Sequence, residues 1–205
     1  MKYNNESIRD AIIKGLRKSK SKIEQWTYGS FYPWDAPESI HTVYVAESIG
    51  NLEFTPGVFC EYSAGDTKKE TGAHRGRFPS TLGYKQRPDI IVTTQKDSIK
   101  TIIEIKKHVW TKNQIVTDLK KIRDIWGNGT STINRSYITY FRGCEKKAIK
   151  TVLKFITELL PENSSKILNE KGGKFETKGI MAFQNKYTNK DFYFFIGILE
   201  ISRKN

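Results

Sequence analysis

The chain of 205 residues has only two cysteines and no apolar run near the ~20 residues that a membrane-spanning helix needs. Cys60 and Cys144 lie far apart, and neither they nor the three histidines follow a metal-ligand spacing. These absences argue against a membrane span, a disulfide-stapled scaffold and a zinc site. The first ten residues also lack the apolar core of a signal peptide, so we expect a cytoplasmic protein with free thiols.

Acidic residues are scarce relative to basic ones. There are 22 Asp and Glu against 35 Lys and Arg, which gives a formal net charge of +13. Such an excess predicts a polyanionic partner, nucleic acid before an acidic membrane surface. Hydrophobic residues at 37% and aromatic residues at 12% indicate a folded protein, and the length fits one domain.

The most informative stretch, residues 87–107, reads RPDIIVTTQKDSIKTIIEIKK. Two short apolar runs separated by a polar, turn-like TTQKDS predict two adjacent β-strands. Because side chains alternate across a strand, Glu104 and Lys106 share one face of the second strand, while Ile103 and Ile105 share the other.

This stretch suits metal-assisted hydrolysis. Asp89 and Glu104 would lie on neighbouring strands, and Mg²⁺ prefers such oxygen ligands. A lysine two residues after the second carboxylate, Lys106, could orient or activate a water or stabilise charge on phosphorus. The alternative is that Glu104 and Lys106 form an exposed cross-strand pair at a sheet edge.

The motifs Pro88-Asp89 and Glu104-Ile105-Lys106 resemble the signature of the PD-(D/E)xK nuclease superfamily, which has the restriction-endonuclease-like fold. Residues 37–141, about half of the chain, carry the resemblance. Each motif alone is weak, but the ordered set with a strand beside each carboxylate is stronger.

The resemblance implies a catalytic set and a cofactor. The metal ligands would be Asp89, Glu104 and the backbone carbonyl of Ile105, and the metal would be Mg²⁺, for which Mn²⁺ can substitute. Lys106 would be the water-orienting base or an electrostatic stabiliser. Supplementary acids would come from Glu38, which opens a predicted helix, and from Glu61. Glu47 competes with Glu38 for the role of helix acid, and we rank Glu38 first.

A basic, glycine-rich loop leads from Glu61 into the motif, and we expect it to contact the substrate unless it is an unconstrained surface loop. A lysine on the predicted helix 113–126 could likewise reach a phosphate or simply carry surface charge. The predicted nucleic-acid contacts are Lys68, Lys69, Arg75, Arg77, Lys85, Arg87 and Lys120.

An aromatic segment, residues 26–37, follows a predicted basic amphipathic helix at residues 5–25. Its Gly and Pro residues exclude a regular helix. These aromatic side chains could stack on bases, but we favour a role in fastening an N-terminal arm to the core.

The predicted fold is α/β: a mixed central sheet flanked by helices, of the restriction-endonuclease type, with an N-terminal helical arm and a C-terminal β-hairpin. The chain divides into residues 1–36 (basic helix and aromatic arm), 37–141 (the motif-bearing core) and 142–205 (a helix that Pro161 ends, then the hairpin). Strands are also expected at 58–61 and 135–141.

The predicted function is a Mg²⁺-dependent nuclease, most consistent with a DNA endonuclease. A catalytically silent nucleic-acid-binding module on the same fold and an RNA-directed nuclease are the alternatives. The sequence does not decide between endo and exo action, the recognised site or whether two copies form a homodimer.

Overall fold

The computed structural model describes residues 5–53, 57–62, 87–94, 98–109, 111–126, 132–170, 174–186 and 192–204, without the side chains of 183–186. Within these ranges, six strands form one mixed sheet: β1 (Gly57–Cys60), β2 (Ile90–Thr93), β3 (Ile99–Lys107), β4 (Arg135–Glu145), β5 (Phe175–Lys186) and β6 (Phe192–Arg203). The order across the sheet is β1-β2-β3-β4-β6-β5. The predicted α/β class with a mixed sheet is therefore confirmed.

The strand pairing follows from the connections. β2 and β3 are antiparallel neighbours, as the two apolar runs predict, and β5 and β6 form the predicted C-terminal hairpin. β3 and β4 are parallel. Parallel neighbours need a crossover connection, and α3 (Asn113–Trp126) supplies it.

Helices cover both faces of the sheet. The first face is covered by α1 (Asn5–Trp26), a 3₁₀ turn (Pro33–Asp35) and α2 (Glu38–Gly50). The second is covered by α3 and by a composite helix of α4 (Ile149–Lys154), a π-helical turn (Phe155–Leu159) and α5 (Leu160–Asn169). Each face buries its own apolar cluster, which makes a three-layer α/β arrangement.

The strand alternation predicted for β3 is confirmed. Ile103 and Ile105 pack in the cluster under α1 and α2. Ile102 packs in the opposite cluster, with Leu119 and Ile122 of α3. Glu104, on the same side of β3 as Ile102, therefore faces α3.

The predicted N-terminal helix is confirmed, and α1 packs as part of the core. Ile8, Ile12 and Leu16 are fully buried against the sheet. Gly15 allows the close approach of α2, because a Cβ at this position would lie 2.5 Å from the Cα of Val45. The apolar stripe that predicted the helix is thus the surface by which it joins the fold.

Pro161 does not end the helix, contrary to the sequence prediction. A proline inside a regular α-helix removes a hydrogen bond and clashes with the carbonyl four residues earlier. Here the π-helical turn precedes it, with the Leu160 N–H directed to the Phe155 carbonyl, so Pro161 falls in the first turn of α5. A proline is tolerated there because that N–H needs no helical partner.

Among the helices that the structure describes, none is long and apolar enough to span a membrane.

Candidate active site

The residues of the two motifs meet where β2 begins and β3 ends. Asp89 directly precedes β2, and its Oδ2 accepts a hydrogen bond of 2.6 Å from the backbone N–H of Ile105 on β3. Burial raises the pKa of Asp89, while the Ile105 hydrogen bond and the ammonium groups of Lys106 and Lys121 act in the opposite direction. The strand pairing thus holds the first carboxylate against the backbone that carries the second.

Glu104 is fully buried in the third of six strands, so the alternative of an exposed pair at a sheet edge is wrong. Its Oε1 forms an ion pair of 2.6 Å with Nζ of Lys121, while its Oε2 has no hydrogen-bond partner among the described residues. Burial raises the pKa of Glu104 to about 8, against the lowering effect of Lys121. A buried carboxylate in this condition is costly unless another cation or donor completes its coordination.

Lys106 lies between carboxylates from two helices. Its Nζ is 3.6 Å from Oδ2 of Asp118 on α3 and 4.0 Å from Oε2 of Glu38 on α2. Burial alone would lower the pKa of Lys106, but Asp118 and three further carboxylates outweigh it and raise the pKa above its ordinary value. Lys106 is therefore an ammonium group at neutral pH.

The first residue of α2, Glu38, belongs to the same cluster. Its Oε1 accepts a hydrogen bond of 3.0 Å from the backbone N–H of Lys107, which ties the start of α2 to the end of β3. Glu47 lies elsewhere: it pairs with Lys18 of α1 at 2.7 Å, and both side chains are more than 40% exposed. Of the two candidate helix acids, only Glu38 thus lies within reach of Lys106.

Glu61 and Arg87 lie at the rim of the cluster. The Glu61 N–H donates to the Asp89 carbonyl at 3.1 Å, but its carboxylate is 68% exposed and its nearest described cation is Arg87, at 3.9 Å. Arg87 is also largely exposed, and its carbonyl accepts from Lys121 Nζ at 3.3 Å. Glu61 has a φ of 51°, a conformation that is uncommon for residues other than glycine.

Sequence reasoning missed two members of the cluster, Asp118 and Lys121 of α3. Both are over 90% buried, and Lys121 lies 3.5 Å from Asp118 as well as beside Glu104. A signal existed, because Asp118 falls between Ile115 and Ile122 on the apolar stripe of α3, where a lone carboxylate is costly. The predicted phosphate contact on this helix, Lys120, is exposed on its other side.

The remaining predicted nucleic-acid contacts, Lys68, Lys69, Arg75, Arg77 and Lys85, lie outside the described residues. Their assignment to the substrate stays a prediction.

The fit of a divalent metal is mixed but favourable at one atom. Within the described ranges, no group of three or more His, Cys, Asp and Glu side chains is placed so that it could hold a metal ion. Mg²⁺, however, is held by one or two carboxylates, with waters and substrate supplying the rest. The Oε2 of Glu104, buried and without a hydrogen-bond partner among the described residues, is the kind of oxygen such an ion would bind.

Comparison with known proteins gives no match for this chain: no family model, no curated protein and no solved structure resembles it closely enough to count. The restriction-endonuclease-like topology and the nuclease signature therefore stay predictions from the motifs.

Proposed function

We propose that the chain is a metal-dependent nuclease of the restriction-endonuclease-like type, acting on DNA. The observation that carries the proposal is the buried carboxylate of Glu104, which is incompletely satisfied and held beside Asp89 and Lys106. Structural ion pairs are rarely left in this condition in a protein core.

The charge balance supports the same conclusion. The cluster has four carboxylates (Asp89, Glu104, Asp118 and Glu38) and two ammonium groups (Lys106 and Lys121). With all six groups ionised its charge would be −2, within a chain whose net charge is +13. Without a cation, the pKa of about 8 keeps Glu104 largely protonated at neutral pH. A negative pocket repels phosphate, and one divalent cation would cancel the excess. A protein that only binds nucleic acid has no use for such acids.

Asp89, Glu104 and the carbonyl of Ile105 are the groups that would hold Mg²⁺ or Mn²⁺. When bound, the ion lowers the pKa of a water and neutralises charge that develops on the phosphate. The Ile105 N–H keeps Asp89 against β3, and burial by α3 excludes bulk water from Glu104.

Lys106 acts as a charged donor. Its raised pKa makes it a poor proton acceptor at neutral pH, so of the two roles implied by the resemblance we favour electrostatic stabilisation. Asp118 and Glu38 flank its ammonium group at 3.6 and 4.0 Å and fix its direction. Both are positioning residues in this scheme.

The test combines cleavage with metal binding. Supercoiled plasmid, single-stranded DNA and RNA are incubated with the protein in Mg²⁺, Mn²⁺ or EDTA, and Mn²⁺ binding is measured by calorimetry. We expect metal-dependent cleavage of DNA, and loss of both cleavage and Mn²⁺ binding in Asp89→Asn. Glu47→Gln is the matched control, since it removes one exposed carboxylate outside the cluster.

Each outcome separates the candidates. Undiminished Mn²⁺ binding by Asp89→Asn would remove the metal site. Tight nucleic-acid binding without cleavage under every metal condition would favour the silent binding module, and cleavage of RNA alone would favour the RNA-directed nuclease.

A further inference from the structure

The aromatic segment that follows α1 divides into a buried half and an exposed half. Tyr32 and Trp34 stack on each other at 4.6 Å, and Trp34 packs against Phe194 of the sheet. Trp26 is 57% exposed and Tyr28 is 98% exposed. Fastening to the core accounts for the first pair only, so the second pair needs another explanation.

Tyr28 occupies a backbone position that normally selects glycine. The Gly29 N–H bonds the Glu24 carbonyl at 2.9 Å and the Tyr28 N–H points at the Gln25 carbonyl at 3.5 Å, which is the Schellman pattern that ends a helix. Tyr28 is its left-handed residue, with a φ of 49°. Glycine or asparagine adopts this conformation more easily, and strain of this kind is found preferentially at functional sites.

The ring of Tyr28 buries almost no apolar surface, so burial does not offset the free-energy cost of this backbone conformation. A side chain that is 98% exposed contributes almost nothing to the hydrophobic stability of the fold. Tyrosine at this position therefore costs folding free energy, which points to a contact made outside the chain.

The surroundings of Trp26 are basic and aromatic. Its ring lies 6.4 Å from that of Tyr44 on α2. Nζ of Lys18, which pairs with Glu47 at 2.7 Å, lies 5.5 Å from the centre of the Tyr44 ring. Lys18, Lys22 and Trp26 recur every four residues along α1, which places them in one row on the helix surface. We name Trp26, Tyr28 and Tyr44 the aromatic patch.

The aromatic patch lies near the carboxylate cluster. Glu38 begins α2 inside that cluster, and Tyr44 follows six residues later, a rise of about 9 Å along the helix. Between the patch and Glu38, Asp35 contacts His108 just after β3, at 3.4 Å. A DNA strand bound to the aromatic patch would thus lie close to the carboxylate cluster.

We propose that the aromatic patch stacks on unpaired bases, so that the nuclease acts on DNA with a single-stranded segment beside the cleavage site. Aromatic rings and a row of lysines together form the usual single-strand binding surface, in which rings stack on bases and cations follow the backbone. Bases inside a duplex do not expose their faces to such rings. The inference rests on the proposed function for the catalytic activity, but the binding of unpaired bases does not depend on catalysis.

The experiment measures binding without cleavage. Anisotropy of a dye-labelled 12-nucleotide oligo-dT and of a 12-base-pair blunt duplex is recorded in EDTA for wild type, Trp26→Ala and Tyr28→Asn. Trp26→Ala should weaken oligo-dT binding about tenfold or more and change duplex binding by less than about twofold. The slope of log K against log salt should stay the same, because no phosphate contact is removed.

Tyr28→Asn is the sharper variant, because asparagine suits the left-handed backbone. It should melt at the wild-type temperature or higher while losing affinity for oligo-dT. Leu159→Ala is the matched control: Leu159 is 43% exposed on the opposite face of the sheet, and its removal should not change oligo-dT affinity.

Three results would overturn the proposal. A lower melting temperature for Tyr28→Asn with unchanged oligo-dT affinity would mean that Tyr28 serves the fold. Equal losses for oligo-dT and duplex would exclude base stacking. Unchanged affinity for oligo-dT in Trp26→Ala, with altered sedimentation, would assign the patch to a second copy of the chain. Because EDTA is present throughout, binding can succeed even if the nuclease proposal fails.

Discussion

Two of the polar side chains that are buried in the described part of the chain, His41 and Glu104, have their hydrogen bonds satisfied to different degrees. His41 on α2 is fully buried, yet its Nε2 lies 3.1 Å from the Pro33 carbonyl and its Nδ1 lies 2.7 Å from the Ser19 hydroxyl. Because a carbonyl only accepts, the neutral ring carries its proton on Nε2. The Ser19 hydroxyl also lies 2.8 Å from the Leu16 carbonyl and can donate its one proton either to that oxygen or to Nδ1. Glu104 is buried just as deeply, but although its Oε1 lies 2.6 Å from Nζ of Lys121, its Oε2 has no hydrogen-bond partner among the described residues.

Under the proposed function, this difference separates a structural role, that of His41, from a functional one, that of Glu104. A buried polar group with its partners fixes neighbouring elements, and His41 joins α1, α2 and the 3₁₀ turn in this way. A buried carboxylate without them lowers stability and persists where it has another use. Burial shifts both groups toward the neutral form, so it lowers the pKa of His41 to about 4 and raises that of Glu104 to about 8.

The largest expected effect comes from Glu104→Gln, which removes the charge and keeps the shape. Under the proposed function, cleavage should fall by about 10³-fold or more, because a proposed ligand of the metal is lost. The free energy of unfolding, in contrast, should be higher for the variant than for wild type at high pH. The pKa of Glu104 rises from 4.5 to about 8 on folding, so the free energy of unfolding of wild type decreases as pH increases between these values.

The variant is therefore expected to unfold at higher urea than wild type at pH 8, and the gap should narrow toward pH 5. Urea titrations at both pH values measure this change. A gap that is constant from pH 5 to 8 would mean that Glu104 does not titrate in this window, and that its burial is better compensated than the contacts indicate.

A smaller effect on turnover is expected from removing Lys106, and it distinguishes a role in catalysis from the simple loss of one positive charge. Lys106→Ala and Lys120→Ala each remove one ammonium group, but only Lys106 lies among the carboxylates. Turnover should fall by about 10²–10³-fold for Lys106→Ala, as when a positioned electrostatic donor is deleted, and hardly at all for Lys120→Ala. Single-turnover rates at saturating protein measure the chemical step apart from affinity. Equal single-turnover rates for the two variants would show that Lys106 is not a catalytic residue.

Local patterns were enough to predict much of the fold. The two strands around TTQKDS, the face shared by Glu104 and Lys106, and the C-terminal hairpin follow from alternation and turn residues in a few neighbouring positions. Asp89 and Glu104 meet because the strands that carry them are antiparallel neighbours. No long-range information is needed for that pair.

Side chains brought in from other elements could not be predicted in this way. Lys120 and Lys121 differ by about 100° around α3, and only the packing of α3 on the sheet decides which of them reaches Glu104. The rotation of a helix is set by its whole apolar stripe, so an error of one residue exchanges an exposed lysine for a buried one. Pro161 illustrates the same limit, because the π-helical turn that accommodates it depends on packing.

The smallest expected effect reverses the pH dependence seen at Glu104 and completes the comparison. The pKa of His41 falls from 6.5 to about 4 on folding, chiefly because its ring is buried. Its contribution to stability is thus fully present above pH 6.5 and is lost as pH falls toward 4, by about 3 kcal/mol at most.

His41→Gln cannot titrate, although its amide can still donate to the Pro33 carbonyl. The free energy of unfolding of wild type, relative to this variant, should therefore decrease between pH 6.5 and 4 in urea titrations. Carboxylates that protonate in the same range affect both proteins equally and cancel in the difference. Cleavage at pH 7.5 should be unchanged, since His41 contacts no group of the carboxylate cluster directly. Parallel curves of unfolding free energy against pH would show that the pKa of His41 is the same in the folded and unfolded states. The contrast between His41 and Glu104 would then rest on hydrogen bonding alone.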